Sequence, residues 1–482
     1  MSSDDLKQKT ISGMIWSSLG RIGTVGITFI SNLVLARLLM PEDFGCIGML
    51  YIFIAVSSIF VSGGLGQALI QKKEPAHIDY TTVFYWNLVM SVIFYLILFF
   101  TAPAIARYYN IPLLKNVLRV QSLVLFIQSF SLVQSNQLQK QLRFKELSTR
   151  NVISALAGMV IAIIMAFCGY GVWSLVASAL LSALTSVVLL WKMSDWRPTW
   201  EFSFQSLKEL FSFGGLMLLS SLVETVYTNI QGLIIGKRYS AKDLGFFSQA
   251  KKLEEVPTNS LSAIVNEVSF PVFSSLQDDK EKLRMGVRKN VKAITYLNFP
   301  LMVAMMVVAK PLVVLLYGAK WAASAPYFQI LCVSSMIYTL NTLNTNIIKS
   351  LGKSAIYFFV QLSKRLIGIG LIIWGVQYGI RGLLWAVTSV GYISFVINAI
   401  VNGKLIQYGI AKQIKDIGLC YLSAVLIGVG VFFAGKFIPL HPYVVMALQL
   451  VLYFVLYWLV SVLFKFEGYR TYMDILKSKI KK

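Results

Sequence analysis

The sequence predicts an all-α polytopic membrane protein with about 14 transmembrane helices, arranged as two six-helix lobes around a central cleft with two further C-terminal helices. Three observations carry that expectation. Of 482 residues, 57% are hydrophobic and only 13% are charged, against roughly 25% charged in a soluble domain. The apolar residues gather into about fourteen stretches, each near the ~20 residues that cross a bilayer as a helix. A short motif also recurs 200 residues on. A soluble chain of this size would have to hide more apolar surface than a single core can hold.

Taken in order, the expected spans are 11–36, 44–70, 83–107, 114–138, 149–168, 171–192, 210–236, 243–275, 287–309, 325–349, 356–376, 380–403, 416–436 and 443–464. Span 1 is too long for a removable leader and no small-residue cleavage site follows it, so it reads as a membrane helix. Span 8 is long and unusually polar. Connections reach about twenty residues at most, which leaves no room for an inserted soluble domain. The tail from Tyr469 to Lys482 alternates apolar and basic residues and reads as an interfacial helix on an anionic leaflet.

Lys and Arg number 44 against 21 Asp and Glu, a net charge of +23. A nucleic-acid surface needs solvated basic faces that this chain lacks the polar surface to build, so nucleic acid is excluded as a partner. The charge sorts by side instead. Thirty basic residues fall on the side of the N-terminus, eleven on the opposite side, and three within the spans, namely Arg21, Lys251 and Lys252. Both termini are therefore expected to be cytoplasmic, which requires an even number of spans.

The repeat sets the domain plan. Ala36-Arg37 with Asp43-Phe44-Gly45 recurs as Gly236-Lys237 with Asp243-Leu244-Gly245. Ser17-Ser18-Leu19-Gly20-Arg21 aligns with Ser220-Ser221-Leu222-Val223-Glu224 once three residues of slippage are allowed. Span 1 thus matches span 7, giving lobes at 1–205 and 206–405 related by an axis along the membrane normal, and a C-terminal piece at 406–482. Two lobes across a cleft are an alternating-access design rather than a pore.

Ionisable groups within a membrane are functional candidates by default. Arg21 lies mid-span among Gly20, Gly23 and Gly26, which allow close backbone approach, and no acid stands between Asp5 and Glu42. It is a candidate for a substrate anion; the other reading is a bridge to Glu224, its counterpart by the repeat. Lys251, Lys252, Glu254 and Glu255 lie 8 to 12 residues from Asp243, hence ~12–18 Å into the bilayer. Lys251 can pair with Glu254 or Glu255, so a self-neutralised stripe wetted by the cleft stands beside a direct ligand role. Pro257 and Pro271 make span 8 a bending element, and Asn259, Asn266 and Glu267 extend its polar face.

Spans 4 and 10 carry amide rows, with Gln121, Gln128, Gln134, Asn136, Gln137 and Gln139 in one and Asn341, Thr342, Asn344, Thr345 and Asn346 in the other. Such rows suit sugar hydroxyls, which need donors and acceptors together, or act as glue between helices. Lys364 and Arg365 enter span 11 and meet either a phosphate or, the favoured reading, headgroups by snorkelling.

Several chemistries are missing. Cys46, Cys168, Cys332 and Cys420 fall in apolar runs and read as buried free thiols. His77 and His441 are far apart, so no metal site is expected. Gly352-Lys353-Ser354 lacks the earlier glycine of a phosphate loop, Ile347 standing there, so no nucleotide or other cofactor is implied. Asp278-Asp279 reads as a solvated loop rather than a metal dyad.

The ordered set Ala36-Arg37-Leu38-Leu39, Pro41-Glu42-Asp43-Phe44-Gly45, Ala68-Leu69-Ile70-Gln71, Gly171-Val172-Trp173-Ser174-Leu175-Val176, Phe270-Pro271-Val272-Phe273-Ser274, Gly318 and Lys320-Trp321 resembles the polysaccharide transporter family of the multidrug/oligosaccharidyl-lipid/polysaccharide flippase superfamily, in its lipopolysaccharide-biosynthesis and colanic-acid-exporter branch. The resemblance spans nearly the whole chain and is weakest after about residue 400. It implies a flippase for undecaprenyl-diphosphate-linked oligosaccharide in the bacterial inner membrane, without enzymatic activity. Lipid-linked glycan, membrane lipids and the polysaccharide polymerase machinery are the partners. On that reading Arg21, Lys251 and Lys252 are candidates for the pyrophosphate, and Glu224, Glu254, Glu255 and Glu267 for counter-charge or coupling. Gln128, Gln134, Asn259, Asn341 and Asn344 are candidates for sugar contact. A cation-coupled drug or solute antiporter of the same superfamily is the alternative, weakened by an arginine in span 1 where a carboxylate is wanted. A glycosyltransferase or polymerase would need a catalytic loop that the short connections do not provide.

Overall fold

The computed structural model describes the backbone of residues 3–480, and the side chains of these except 3–11, 264, 267–268, 354, 475–476 and 478–480. The described residues are helical almost throughout and contain no strand. They form two compact units, Met1–Gly245 and Phe246–Lys482.

The first unit holds α1 (Ser3–Leu38), α2 (Pro41–Ser62), α3 (Leu65–Gln71), α4 (His77–Tyr109), α5 (Leu113–Gln121), α6 (Leu123–Ser129), α7 (Leu132–Lys140), α8 (Phe144–Phe167), α9 (Val172–Met193), α10 (Phe204–Arg238) and the start of α11 (Ala241–Ile264). The recurring motif of the sequence marks two helix starts. Before α2, Pro41 supplies a preset φ and the Asp43 carboxylate accepts the Met40 N–H at 2.9 Å. Before α11, the Ser240 hydroxyl accepts the Asp243 N–H at 3.0 Å and donates to its carboxylate at 2.7 Å. Both ends thereby satisfy N–H groups that a helix leaves open. Gly63 (φ +57°) ends α2 in the left-handed region, where glycine carries no Cβ penalty. α10 packs against α2, α3 and α4, and its Gly214 carbonyl lies where a Cβ on Gly64 would be.

Span 4, expected as one helix, is instead α5, α6 and α7, with a 43° bend before α7. Serines mark the breaks. The hydroxyls of Ser122, Ser129 and Ser131 donate to carbonyls three residues back, at 3.2, 2.7 and 3.0 Å, and so compete with the helix ladder.

The second unit continues α11 into a π-helical turn (Val265–Ser269), then α12 (Phe270–Ser275), α13 (Lys280–Val307), α14 (Ala309–Tyr317), α15 (Ala325–Ser350), α16 (Ser354–Gly375), α17 (Gly379–Ile406), α18 (Ile410–Lys436), α19 (Pro442–Leu463) and α20 (Glu467–Ile480). Pro271 has no N–H to give the ladder, and the widened turn sits just ahead of it. Span 8 therefore carries a widened turn beside Pro271, while Pro257 lies within unbroken α11. The tail helix α20 docks on α13, where Tyr296 gathers Tyr457, Phe466, Tyr469 and Tyr472 and Tyr472 donates to the Ala293 carbonyl at 3.3 Å.

Among the described residues ten helices are long and apolar enough to cross a membrane, or eleven if the bent pair in span 4 is one crossing. The expected fourteen is not reached on that measure. α11 carries six charges and α15 its amide row, and both fall short in hydropathy, while 355–406 passes as one stretch although it holds both α16 and α17. Of the four thiols, Cys168 is exposed rather than buried, because it follows the last residue of α8.

Candidate functional site

In the first unit the intramembrane charges sit on α1 and α10. One face of α1 is turned onto α8 by glycine: a Cβ at position 20 would overlap Ser148, whose hydroxyl donates to the Trp16 carbonyl at 2.8 Å, and one at position 23 would touch Val152 at 3.4 Å. Gly26 meets nothing within 4 Å, so it has no packing role. Arg21 points from a different face and is exposed, as is Glu224 on α10.

In the second unit the charges sit on α11. Lys251 pairs with Glu255 at 3.8 Å, one turn on, with the two side chains 35% and 44% exposed. Lys252 and Asn259 are exposed on the same helix. This face of α11 is thus open rather than packed against a neighbouring helix. Glu254 turns the other way. It is buried, and its Oε1 accepts the hydroxyls of Thr258 and of Ser335 on α15. Of the two pairings the sequence left open for Lys251, the i,i+4 pair forms, because Glu254 is drawn into the α11–α15 interface. The Glu267 side chain lies outside the described residues.

The amide rows divide. Asn341 donates to the Gly391 carbonyl at 2.9 Å and accepts from Asn398 of α17 at 2.9 Å. Asn344 exchanges hydrogen bonds with Gln413 of α18 at 3.0 Å each way and accepts from Asn402 at 2.8 Å. Asn341 therefore clamps α15 to α17, and Asn344 clamps it to α17 and α18. Gln128 is exposed on α6. Gln134 on α7 is fully buried, yet neither its Oε1 nor its Nε2 has a partner among the described residues. A buried, unsatisfied amide of this kind calls for an explanation.

Two features escaped the sequence. Lys364, expected to snorkel, is only 8% exposed and forms no hydrogen bond or ion pair among the described residues. Snorkelling requires an exposed head group, and burial on this scale overturns it. Asp416, one acid among many basic residues, accepts Arg288 at 2.7 and 2.8 Å, Lys292 at 3.0 Å and the Tyr408 hydroxyl at 3.0 Å. Its partners are separated by up to 128 positions in sequence, so no local pattern announces them. Among the described residues, no three His, Cys, Asp or Glu side chains gather as a metal ion would need.

Residues 34–326 match the family described as "Polysaccharide biosynthesis protein". The chain is similar to the succinoglycan biosynthesis transport protein ExoT of Rhizobium meliloti, with 28% identity over 80% of this chain and 79% of that protein. It is also similar to the lipopolysaccharide biosynthesis protein WzxC of Escherichia coli, with 26% identity over 77% and 76% of the two chains. Its fold is that of the lipid II flippase MurJ solved in an inward closed conformation, with a TM-score of 0.76, 14% identity, and coverage of 96% of this chain and all of the other.

Proposed function

Because the chain belongs to the polysaccharide biosynthesis protein family, we propose that it is a flippase that moves undecaprenyl-diphosphate-linked oligosaccharide across the bacterial inner membrane by alternating access. The observation that carries this reading is the open side of α11, where Lys251 and Lys252 stand in a helix of a multi-pass membrane protein whose fold is that of a lipid II flippase. Cations there have a use if an anionic head group must cross.

In this reading the glycan enters from the cytoplasmic leaflet, with both termini on that side as the distribution of basic residues requires. Arg21, Lys251 and Lys252 meet the pyrophosphate. Glu224 and Glu255 hold those cations in balance while the site is empty. Exposed Gln128 and Asn259 meet sugar hydroxyls, and the prenyl tail stays in lipid. The lobes at 1–205 and 206–405 are the moving halves. Moving two negative charges outward along an inside-negative potential gains up to ~4–5 kcal/mol per 100 mV, so no nucleotide hydrolysis is needed and the chain acts as a carrier, not an enzyme. Polysaccharide polymerase machinery receives the product.

Export of labelled lipid-linked glycan by the reconstituted chain tests the function. Arg21→Ala and Arg21→Glu are expected to abolish it at normal protein levels; intact export by both removes Arg21 from the site.

A further inference from the structure

The basic end of the second unit contains a feature that the flippase reading does not use. α13 and α18 begin side by side, and between their N-terminal portions lies a cavity of about 400 Å³ lined by Arg284, Arg288, Lys412, Lys415, Tyr408 and Asp416, together with Glu281 and Met285. Positive charge is unfavourable at the first turn of a helix, where unpaired N–H groups already carry the positive end of the dipole. No acid stands in the first turn of α18, and the Gly409 cap has no side chain to accept an N–H.

The ion pairs do not cancel this charge. Asp416, with its side chain only 4% exposed, is fully used by Arg288, Lys292 and Tyr408. Lys292 shares Glu467 at 2.7 Å. Arg284 holds Glu281 at 3.3 Å and the Gln407 side chain at 3.2 Å. Lys412 has only the Gln407 carbonyl, at 2.9 Å, and Lys415 has no partner among the described residues. Five cations thus face three carboxylates, and of the two lysines without a carboxylate, Lys412 sits in the first turn of α18, already made positive by the helix, with Lys415 one turn on. Met285, 57% exposed, and Ile414, 51% exposed, stand beside them on α13 and α18.

We infer that this cavity binds the phosphate head group of an anionic membrane phospholipid, with Lys412 and Lys415 on the phosphate and the acyl chains running past Met285 and Ile414. A basic pocket between membrane helices that opens at the headgroup level suits such a ligand. The positive-inside rule accounts for cations on this side of the membrane, but not for their convergence on a cavity at two helix starts. The bound lipid would tie α13 to α18, and through Lys292 and Glu467 to α20.

The test is lipid retention by the purified full-length chain, read by native mass spectrometry after incorporation into nanodiscs of phosphatidylglycerol and phosphatidylcholine. Lys412→Gln with Lys415→Gln is expected to lower retained phosphatidylglycerol by roughly tenfold and to leave phosphatidylcholine unchanged. Both lysines are exposed, so the double variant should fold as the parent does, read by its helical content. Glu281→Gln, which frees Arg284, is expected to raise phosphatidylglycerol retention, a gain that a merely structural role would not produce. Unchanged retention in the double variant overturns the proposal. So does displacement of the lipid by millimolar glycerol phosphate, which would make this a site for soluble phosphate. Neither result depends on whether the chain transports glycan.

Discussion

Gly45 lies against the backbone carbonyl of Ala241, so close that a Cβ at position 45 would overlap the oxygen. The contact is reciprocal, because a Cβ on Gly245 would overlap the Pro41 carbonyl, and Lys242 meets Glu42 at 3.7 Å beside it. The glycines of the recurring Asp-x-Gly motif therefore bring the starts of α2 and α11 into backbone contact, while Asp43 caps the first and Ser240, held by Asp243, caps the second. An added methyl must push the two helix starts apart, and overpacking costs ~1–3 kcal/mol. Gly45→Ala and Gly245→Ala are each expected to destabilise this contact by that amount. Cross-linking of Glu42→Cys with Lys242→Cys by a short bis-maleimide measures it, and the yield should fall when either alanine is added. An unchanged yield would mean that the glycines serve some other purpose.

Glu254 makes a second prediction through its two hydroxyl donors. Glu254→Ala leaves Thr258 and Ser335 facing an empty position in the α11–α15 interface, at a cost of ~1–3 kcal/mol that denaturation in detergent would read. Glu254→Gln keeps an acceptor oxygen and the side-chain volume, so its stability should stay close to that of the parent. If the carboxyl serves in coupling, glycan export falls in the glutamine variant at unchanged stability. If it only joins helices, export follows stability in both variants.

The helices were legible in the sequence because a bilayer demands long apolar segments, and each expected stretch is occupied by helix. The repeat was legible too, although its meaning was not: sequence shows that Asp43-Phe44-Gly45 returns as Asp243-Leu244-Gly245, while only the fold shows the glycines meeting the facing strands of backbone. The break in span 4 coincides with Ser122, Ser129 and Ser131, whose bonds to carbonyls three residues back leave no trace in apolar content. The amide rows were ambiguous in principle, since Asn344 would look the same whether it faced a sugar or Gln413. Lys364 was misjudged because its position in the chain says how deep it lies but not which side of α16 packs against neighbours.

Lys72 carries a prediction about pH. It lies outside the spans, between α3 and α4, and bridges Asp79 at 2.8 Å and Glu209 at 3.5 Å. The hydrogen bond to Asp79 holds its ammonium above the ordinary lysine value of 10.5. A raised pKa in the folded state means that the stabilisation is fully present below 10.5 and is lost as pH rises through the folded value. With the side chain one-third exposed the pair is worth under ~1 kcal/mol. Lys72→Met should therefore lower stability by about that much at pH 7 to 9, and the difference from the parent should close as the pH is taken past 10.5. A gap that persists at high pH would assign the loss to packing rather than charge.

Lys364 is the sharpest test of where substrate charge is met. It stands ten residues into α16 from Ser354, ~15 Å along the helix, and is buried without a hydrogen bond or ion pair among the described residues. Burying a charge without a partner is costly, so the position is poor for stability alone and makes sense where an anion arrives during the cycle. Lys364→Met keeps the length of the stem and removes the charge. It is expected to raise stability by ~1–3 kcal/mol while lowering glycan export tenfold or more at equal protein level, and Lys364→Arg should restore part of that export. A methionine variant that is more stable and exports normally would show that the ammonium meets no substrate. A variant that loses both stability and export would show that Lys364 is held by the fold itself. The opposed shifts in stability and transport are what separate a binding cation from a structural one.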